Sequence, residues 1–246
     1  MNRQLATQAE PQLVVQPSNR QTALGLLLPL ARVLEDRADA NVAVFPADHF
    51  VSDDNLFMTH VDAAFDIVEE DMDRFVLLGI PPSAAVSDYG YIVAGDCSHR
   101  IAGGARRVSR FVEKPAPGVA REIVASGGLW NTLVMIFSAR AFLRCVRAIN
   151  AELYDCYRRI REALGMRRSA HAIGEIYASA PQVDLSKGIL EELPKRFPSR
   201  LLVLPVRDVY WCDCGSEERM VRLLGHAAQD RRHRDKPCHR RLAHGV

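Results

Sequence analysis

Asp48 and Asp213 are the residues of this sequence best suited to hold a hard cation. Asp48 follows "VFPA", where Val42, Val44 and Phe45 read as a buried strand, and His49 comes next. Asp213 stands between Cys212 and Cys214 in "WCDCGS". Open α/β sheets place their ligands at the carboxyl ends of buried strands. Two carboxylates converging from strand ends far apart in sequence would suit Mg²⁺, which takes few protein carboxylates and completes its octahedron with water and phosphate oxygens. Taken alone, Asp48 also reads as an N-cap or turn residue before the following helix. His49 reads as a supporting or structural side chain.

Three further polar positions interrupt apolar runs. Glu113 and Lys114 close a strand-like segment before Pro115. The ammonium is a compact charge suited to phosphate, although the pair could equally be a surface ion pair of little energetic weight. Asn131 follows Trp130 in "LWNTLVMIF". Its amide offers two donors and an acceptor to a ligand or to buried backbone. Gly90 lies between Tyr89 and Tyr91; lacking a Cβ, it lets a ligand approach the backbone closely, or simply starts a strand after a turn.

These residues need elements to position them. "LVVQP" (13–17) reads as a strand. The run "TALGLLLPLARVLED" after it places Leu24, Leu27, Leu28, Ala31 and Leu34 on one helical face. Pro29 is expected to kink that helix or to mark a late start. "NVAVFP" is a strand, "DNLFMTHVDAAFDIVEED" a helix and "FVLLGI" (75–80) a strand, an order that implies parallel strands joined by crossovers. Beyond it the pattern changes to extended segments "YGYIVAG" and "RRVSRFVEKP" around Gly103–Gly104. A short helix near 119–126, the strand "LWNTLVMIF" and helices between Ala139 and Gly165 come next. "AIGEIYASAP" reads as a helical piece, "RLLVLPV" as the last strand, and Gly215 to Gln229 as a closing helix. The reading is a single α/β domain with an inserted second lobe.

At 246 residues, 48% of them hydrophobic and 25% charged, the composition is that of a globular protein. No apolar run approaches the ~18–20 residues of a membrane helix, and "MNRQLATQAEPQ" carries no signal-peptide core; a cytoplasmic location is the expectation. Cys97, Cys145, Cys156, Cys212, Cys214 and Cys238 form no C-x-x-C pair, so reduced thiols are expected rather than disulfides or zinc. The net charge is +2, but residues 230–246 hold six Arg/Lys against two Asp. That segment reads as a basic, solvated, disordered tail. Neither nucleic acid nor membrane is an expected partner.

Taken in order, "VVQPSNRQTA", "FPADH", "YGYI", "FVEKP", "LWNTLVMIF", "DLSKGILEE" and "WCDCGSEER" resemble the sugar-1-phosphate nucleotidyltransferases, in particular the mannose-1-phosphate guanylyltransferase branch, from about Leu13 to about Leu224. The resemblance implies a Rossmann-like, mostly parallel sheet with helices on both faces. It implies that Asp48 and Asp213 hold the catalytic Mg²⁺, that Lys114 meets the sugar phosphate, and that Glu113, Asn131 and Gly90 receive the sugar. Asp184 resembles an acidic position of the sugar lobe, with a helix N-cap as the other reading. Gln16 and Thr22 are the candidates for reading a purine edge, with Asn19 shaping the turn. At Gln21 this chain departs from the family, which commonly has Gly or Asn there.

The family's opening "G-G-x-G-T-R" loop, which cradles nucleotide phosphates through backbone N–H groups and cationic side chains, does not occur in this sequence. The expectation is therefore a domain over 12–229 that is incomplete at its N-terminus. The implied activity is transfer of a nucleotidyl group from an NTP, GTP foremost, to a hexose-1-phosphate, mannose-1-phosphate foremost, with pyrophosphate leaving. The alternative is an inactive homologue, or a binding subunit that takes its phosphate loop from a complementing chain; a homo-oligomer is a further possibility.

Overall fold

The structure is a computed structural model and describes residues 12–95, 102–221 and 223–225. Its centre is a six-stranded sheet in the order β1 (Asn41–Val44), β6 (Leu129–Ser138), β3 (Phe75–Ile80), β7 (Leu201–Pro205), β5 (Arg106–Glu113), β4 (Gly90–Ala94). Strands β1, β3, β7 and β4 run one way, and β6 and β5 the other. The sheet is thus mixed: most strands share a direction, but only β3 and β7 are hydrogen-bonded in parallel. β4 also pairs with the start of β6, which curls the sheet back on itself.

Side-chain alternation along the strands divides the core in two. Phe75 and Leu77 of β3 face helices α1 (Gln21–Asp36), α4 (Ala139–Ile149), α5 (Ala151–Leu164) and α6 (Ser169–Ser179). Val76, Leu78 and Ile80 face α2 (Asp54–Glu70) and α3 (Pro117–Ala125). All six β3 residues are buried, as expected of a strand covered on both faces. The α/β class with helices on both faces is what the sequence led us to expect.

Three local expectations are corrected. "LVVQP" (13–17) forms no strand: Leu13 is 89% exposed and Val15 70%, and no strand pairs with it among the described residues. Apolar residues make a strand only where another strand takes up their backbone groups. Helix α1 already starts at Gln21, so Pro29 marks no late start; the helix continues through it, forgoing one bond to the Gly25 carbonyl, because Leu24, Leu27, Leu28, Leu30 and Ala31 anchor both halves in one core. Third, a two-stranded sheet, β2 (His49–Val51) with β8 (Trp211–Asp213), is present where no strands were foreseen. The closing helix is seen over 217–221 and 223–225; the basic tail of 230–246 lies outside the described residues, and so does the rest of that helix.

Gln21 begins α1 at φ +67°, with the Asn19 side-chain oxygen accepting its N–H at 2.9 Å. An L-residue with a Cβ is strained in that region by about 1–2 kcal/mol. Gln21→Gly is therefore expected to stabilise the fold by roughly 1 kcal/mol, less the backbone entropy glycine adds to the unfolded chain. Urea denaturation tests this; a midpoint lowered in the variant would show that Gln21 is not strained.

Candidate active site

The β2–β8 pairing brings the two aspartates together. His49 lies opposite Asp213, and the Cys214 N–H donates to the Asp48 carbonyl at 2.7 Å. Asp48 does not cap α2, since Asp53 does so by accepting from the Leu56 N–H at 2.9 Å. Its carboxylate is 59% exposed, with His49 Nε2 at 3.8 Å. Asp213 is placed differently. One oxygen accepts from the Tyr89 hydroxyl at 2.9 Å and the other from Arg219 at 2.5 Å. Arg219 also lies 4.5 Å over the Tyr89 ring and 3.4 Å from Asp88.

Two hard carboxylates at neighbouring backbone positions fit a divalent cation in kind. A guanidinium already holds one of them, so a cation fits only with Arg219 displaced. No cluster of three or more candidate ligands forms among the described residues. The thiols flanking Asp213 add little: Cys212 is buried, and that burial pushes its thiol up, away from the thiolate a metal would need.

His49 is a packing and orienting side chain. The Trp211 indole N–H donates to its Nδ1 at 3.3 Å, and the rings meet edge to face 5.0 Å apart. An accepting Nδ1 leaves the proton on Nε2, which faces Asp48. Burial lowers the imidazole pKa against the pull of Asp48 and Asp213, favouring that neutral tautomer. Tyr89, Trp130 and Trp211 continue the aromatic floor, with centroids 4.9–6.4 Å apart.

The sugar-side candidates also converge. Gly90 on β4 pairs with Glu113 on β5. A Cβ on Gly90 would lie 2.6 Å from a Glu113 carboxylate oxygen and 3.4 Å from the Asn131 Cβ. Asn131 reaches this place through an irregularity in β6, where Leu133 adopts φ +55° and the β3 pairing skips from Leu77–Met135 to Gly79–Asn131. The Asn131 side-chain oxygen accepts from the Leu133 N–H at 3.1 Å. Thr132 ties the same turn to β3 by donating to the Leu78 carbonyl at 2.7 Å. Lys114 follows at φ +47°, its N–H bonded to the Tyr89 carbonyl at 3.2 Å and its side chain exposed. Strained residues of this kind cluster at functional sites.

Glu113 is half-buried. Burial first, and then the charge of Asp184, push its carboxyl above the ordinary 4.5, against Lys114, Ser186 and Lys187. A raised carboxylate pKa destabilises the fold above the unfolded-state value, where the unfolded chain gives up its proton before the folded one does. Glu113→Gln is thus expected to be more stable than the parent near neutral pH, with the advantage disappearing as pH falls below about 4.5. Melting curves from pH 3 to 8 read this; a constant difference across the range would exclude burial of the charge as its cause.

The base-side candidates are knit into the scaffold. Thr22 accepts from the Leu185 N–H at 2.8 Å and lies 3.4 Å from Asp184. Asp184 accepts from the Lys187 N–H at 2.9 Å at the head of a π-helical turn (Ser186–Leu190), so the capping role is the one its geometry displays. Gln16 is exposed, with its amide folded over Gly25 of α1: a Cβ there would meet it at 2.8 Å. Asn19 spends its oxygen on the turn, as expected. The sequence reading passed over Tyr89, Arg219 and Glu191, whose carboxylate accepts from the Glu113 N–H at 2.8 Å. The one available signal was the run "WCDCGSEER", which places a cation six residues after Asp213.

A family model described as nucleotidyl transferase matches residues 1–229. The alginate biosynthesis protein AlgA of Pseudomonas aeruginosa is 30% identical over 220 residues, covering 86% of this chain and 42% of that protein. Mannose-1-phosphate guanylyltransferase 2 of Escherichia coli O157:H7 is 26% identical over 212 residues, again covering 42% of its length. This chain therefore spans about two fifths of these relatives. Among solved structures, one from Thermus thermophilus named mannose-1-phosphate geranyltransferase superposes with a TM-score of 0.73 at 27% identity, covering 87% of this chain and 58% of the other.

Proposed function

The chain belongs to the nucleotidyl transferase family, and from that premise we propose that it transfers a nucleotidyl group from GTP to mannose-1-phosphate. An oxygen of the sugar phosphate attacks the α-phosphorus of the triphosphate, the bond to the β-phosphate oxygen breaks, and pyrophosphate leaves. The attacking oxygen is already anionic, so no general base is needed. Catalysis of this kind rests on positioning and charge neutralisation.

The observation that carries the reading is the meeting of Gly90, Glu113 and Asn131 beside Lys114. Glu113 and Asn131 offer acceptors and donors to sugar hydroxyls over a backbone bared at Gly90, and Lys114 offers an exposed cation to the sugar phosphate. Asp48 and Asp213 would hold Mg²⁺, which when bound neutralises phosphate oxygens; Arg219 has to release Asp213 for that. Gln16 and Thr22 lie at the head of α1, where a base would be read, with Asn19 fixing the turn between them and Asp184 holding Thr22 in place. The relatives named for mannose-1-phosphate support the sugar and the guanylyl donor.

The test is pyrophosphate release by the purified chain with Mg²⁺, GTP and mannose-1-phosphate, set against ATP, UTP and glucose-1-phosphate. Release fastest with the first pair is the expected result. Faster release with another pair would overturn the specificity, and none from a folded sample would overturn transfer by this chain alone.

One observation favours a second reading, in which further polypeptide completes the nucleotide side. Among the described residues, β1 pairs only with β6, and Leu13, Val15 and Phe45 are exposed. A free strand edge is a template for an added strand, and exposed apolar residues mark surface that a partner can cover. Activity that appears only on mixing with a second chain would select this reading.

A further inference from the structure

Helices α4 and α5 form a second polar site at the opposite end of β6 from Asn131. Arg140, Arg144 and Arg147 recur along one face of α4, and Tyr154, Tyr157 and Arg161 along the facing side of α5. With Leu34 and Leu143 as floor they line an open recess of about 300 Å³, a size that suits a small ligand. Part of the charge is compensated, since Arg140 pairs with Asp39 at 2.8 Å and Arg144 with Asp73. Among the described residues, Arg147 and Arg161 pair with no carboxylate. Arg147 lies over the Tyr154 ring, 5.7 Å from its centroid.

A row of arginines on a helix is ordinarily a solvated face. Tyr157 sets this one apart. It is 3% exposed, and its buried hydroxyl makes no hydrogen bond of normal geometry. Buried hydroxyls are nearly always satisfied, because leaving one unpaired forfeits its hydration for nothing. Burial pushes the Tyr157 hydroxyl pKa up, against the Arg161 cation beside it, so the group stays protonated and able to donate. We propose that the recess between α4 and α5 binds the phosphate group of a small molecule, held by the guanidinium groups of Arg147 and Arg161 and by the Tyr157 hydroxyl. Guanidinium forks match phosphate oxygens, and the hydroxyl supplies a directed donor on the apolar side. The hydroxyl is buried, with Arg161 as its charged neighbour, so contact with a ligand requires that neighbour to shift. The site is separate from the candidate active site, with none of its lining residues among those of the latter.

The test is calorimetric titration of the full chain with inorganic phosphate and with phenyl phosphate, at ionic strength held constant with chloride. Saturable phosphate binding is expected, weakened at least about tenfold by Arg147→Ala with Arg161→Ala and unaffected by Asp48→Ala. Tighter binding of the ester would mark organic phosphates as the ligand, and equal or weaker binding would mark free phosphate. Tyr157→Phe is expected to weaken binding about threefold while leaving the melting temperature of the unliganded protein unchanged or higher. Undiminished binding in the arginine variant, or no saturable binding to the parent, overturns the proposal. So does a Tyr157→Phe protein that melts lower and binds phosphate as before, which would make the hydroxyl structural.

Discussion

Gly90→Ala is expected to disable the sugar-phosphate site proposed above while leaving the fold nearly intact. The added Cβ would lie 2.6 Å from the Glu113 carboxylate, below any tolerated contact, and 3.4 Å from the Asn131 Cβ and the Phe111 ring. The tight contact is with the end of a flexible side chain, so relief comes from Glu113 swinging away rather than from the sheet opening. A side-chain shift of that kind costs stability about 0.5–1.5 kcal/mol. The proposed transfer depends on where the carboxylate points, and a misplacement near 1 Å can cost on the order of 10²-fold in rate. The mannose-1-phosphate KM should therefore rise by about tenfold or more, and kcat/KM fall by about 10², with thermal melts almost superimposable. Kinetics unchanged in the variant would mean that the sugar does not sit against Gly90. A melting temperature lowered by more than about 8 °C would mean that the contact is structural instead.

What the sequence disclosed follows from what each pattern physically encodes. The leucine spacing of α1 and the apolar face of α2 specify helices because burial demands them, and both are present. "FVLLGI" reads as a covered strand for the same reason. "LVVQP" carries the same kind of signal and forms nothing, since strand formation depends on a partner that periodicity does not reveal. The short strands β2 and β8 fail in the opposite sense. Three residues each are too few to show a period, yet their pairing is what sets Asp48 beside Asp213. The Gly90–Glu113–Asn131 meeting was legible only through the order of motifs, because it depends on register across β3, β4, β5 and β6. Gln21 departs from the residues common in the family, and its left-handed backbone gives that departure a physical meaning. The engagement of Asp213 by Arg219 could not be read at all: composition places a cation nearby but not its direction.

That engagement sets up the second large effect, in which two substitutions at one site act in opposite directions on metal binding. Arg219 and Asp213 are 15% and 19% exposed, so their contact is sheltered and competes directly with a divalent ion for the same oxygen. Arg219→Ala should raise the affinity for Mn²⁺ by about tenfold or more, since the ion then no longer displaces a charge-assisted hydrogen bond worth about 1.5–3 kcal/mol. The same change leaves a partly buried carboxylate with only the Tyr89 hydroxyl, so the metal-free variant should be less stable by about 1–2 kcal/mol. Millimolar Mg²⁺ should restore that loss, because a ligand that binds only the folded state stabilises it by mass action. Asp48→Ala should abolish Mn²⁺ binding and lower any nucleotidyl transfer by about 10²–10³-fold. Spin-resonance titration of Mn²⁺ and melting curves with and without Mg²⁺ read both variants independently of turnover. If Arg219→Ala binds Mn²⁺ no better than the parent, the ion does not use Asp213. In that case the guanidinium is itself the positive charge this site presents to phosphate, a role for which its fork is suited and for which no metal is required at that carboxylate.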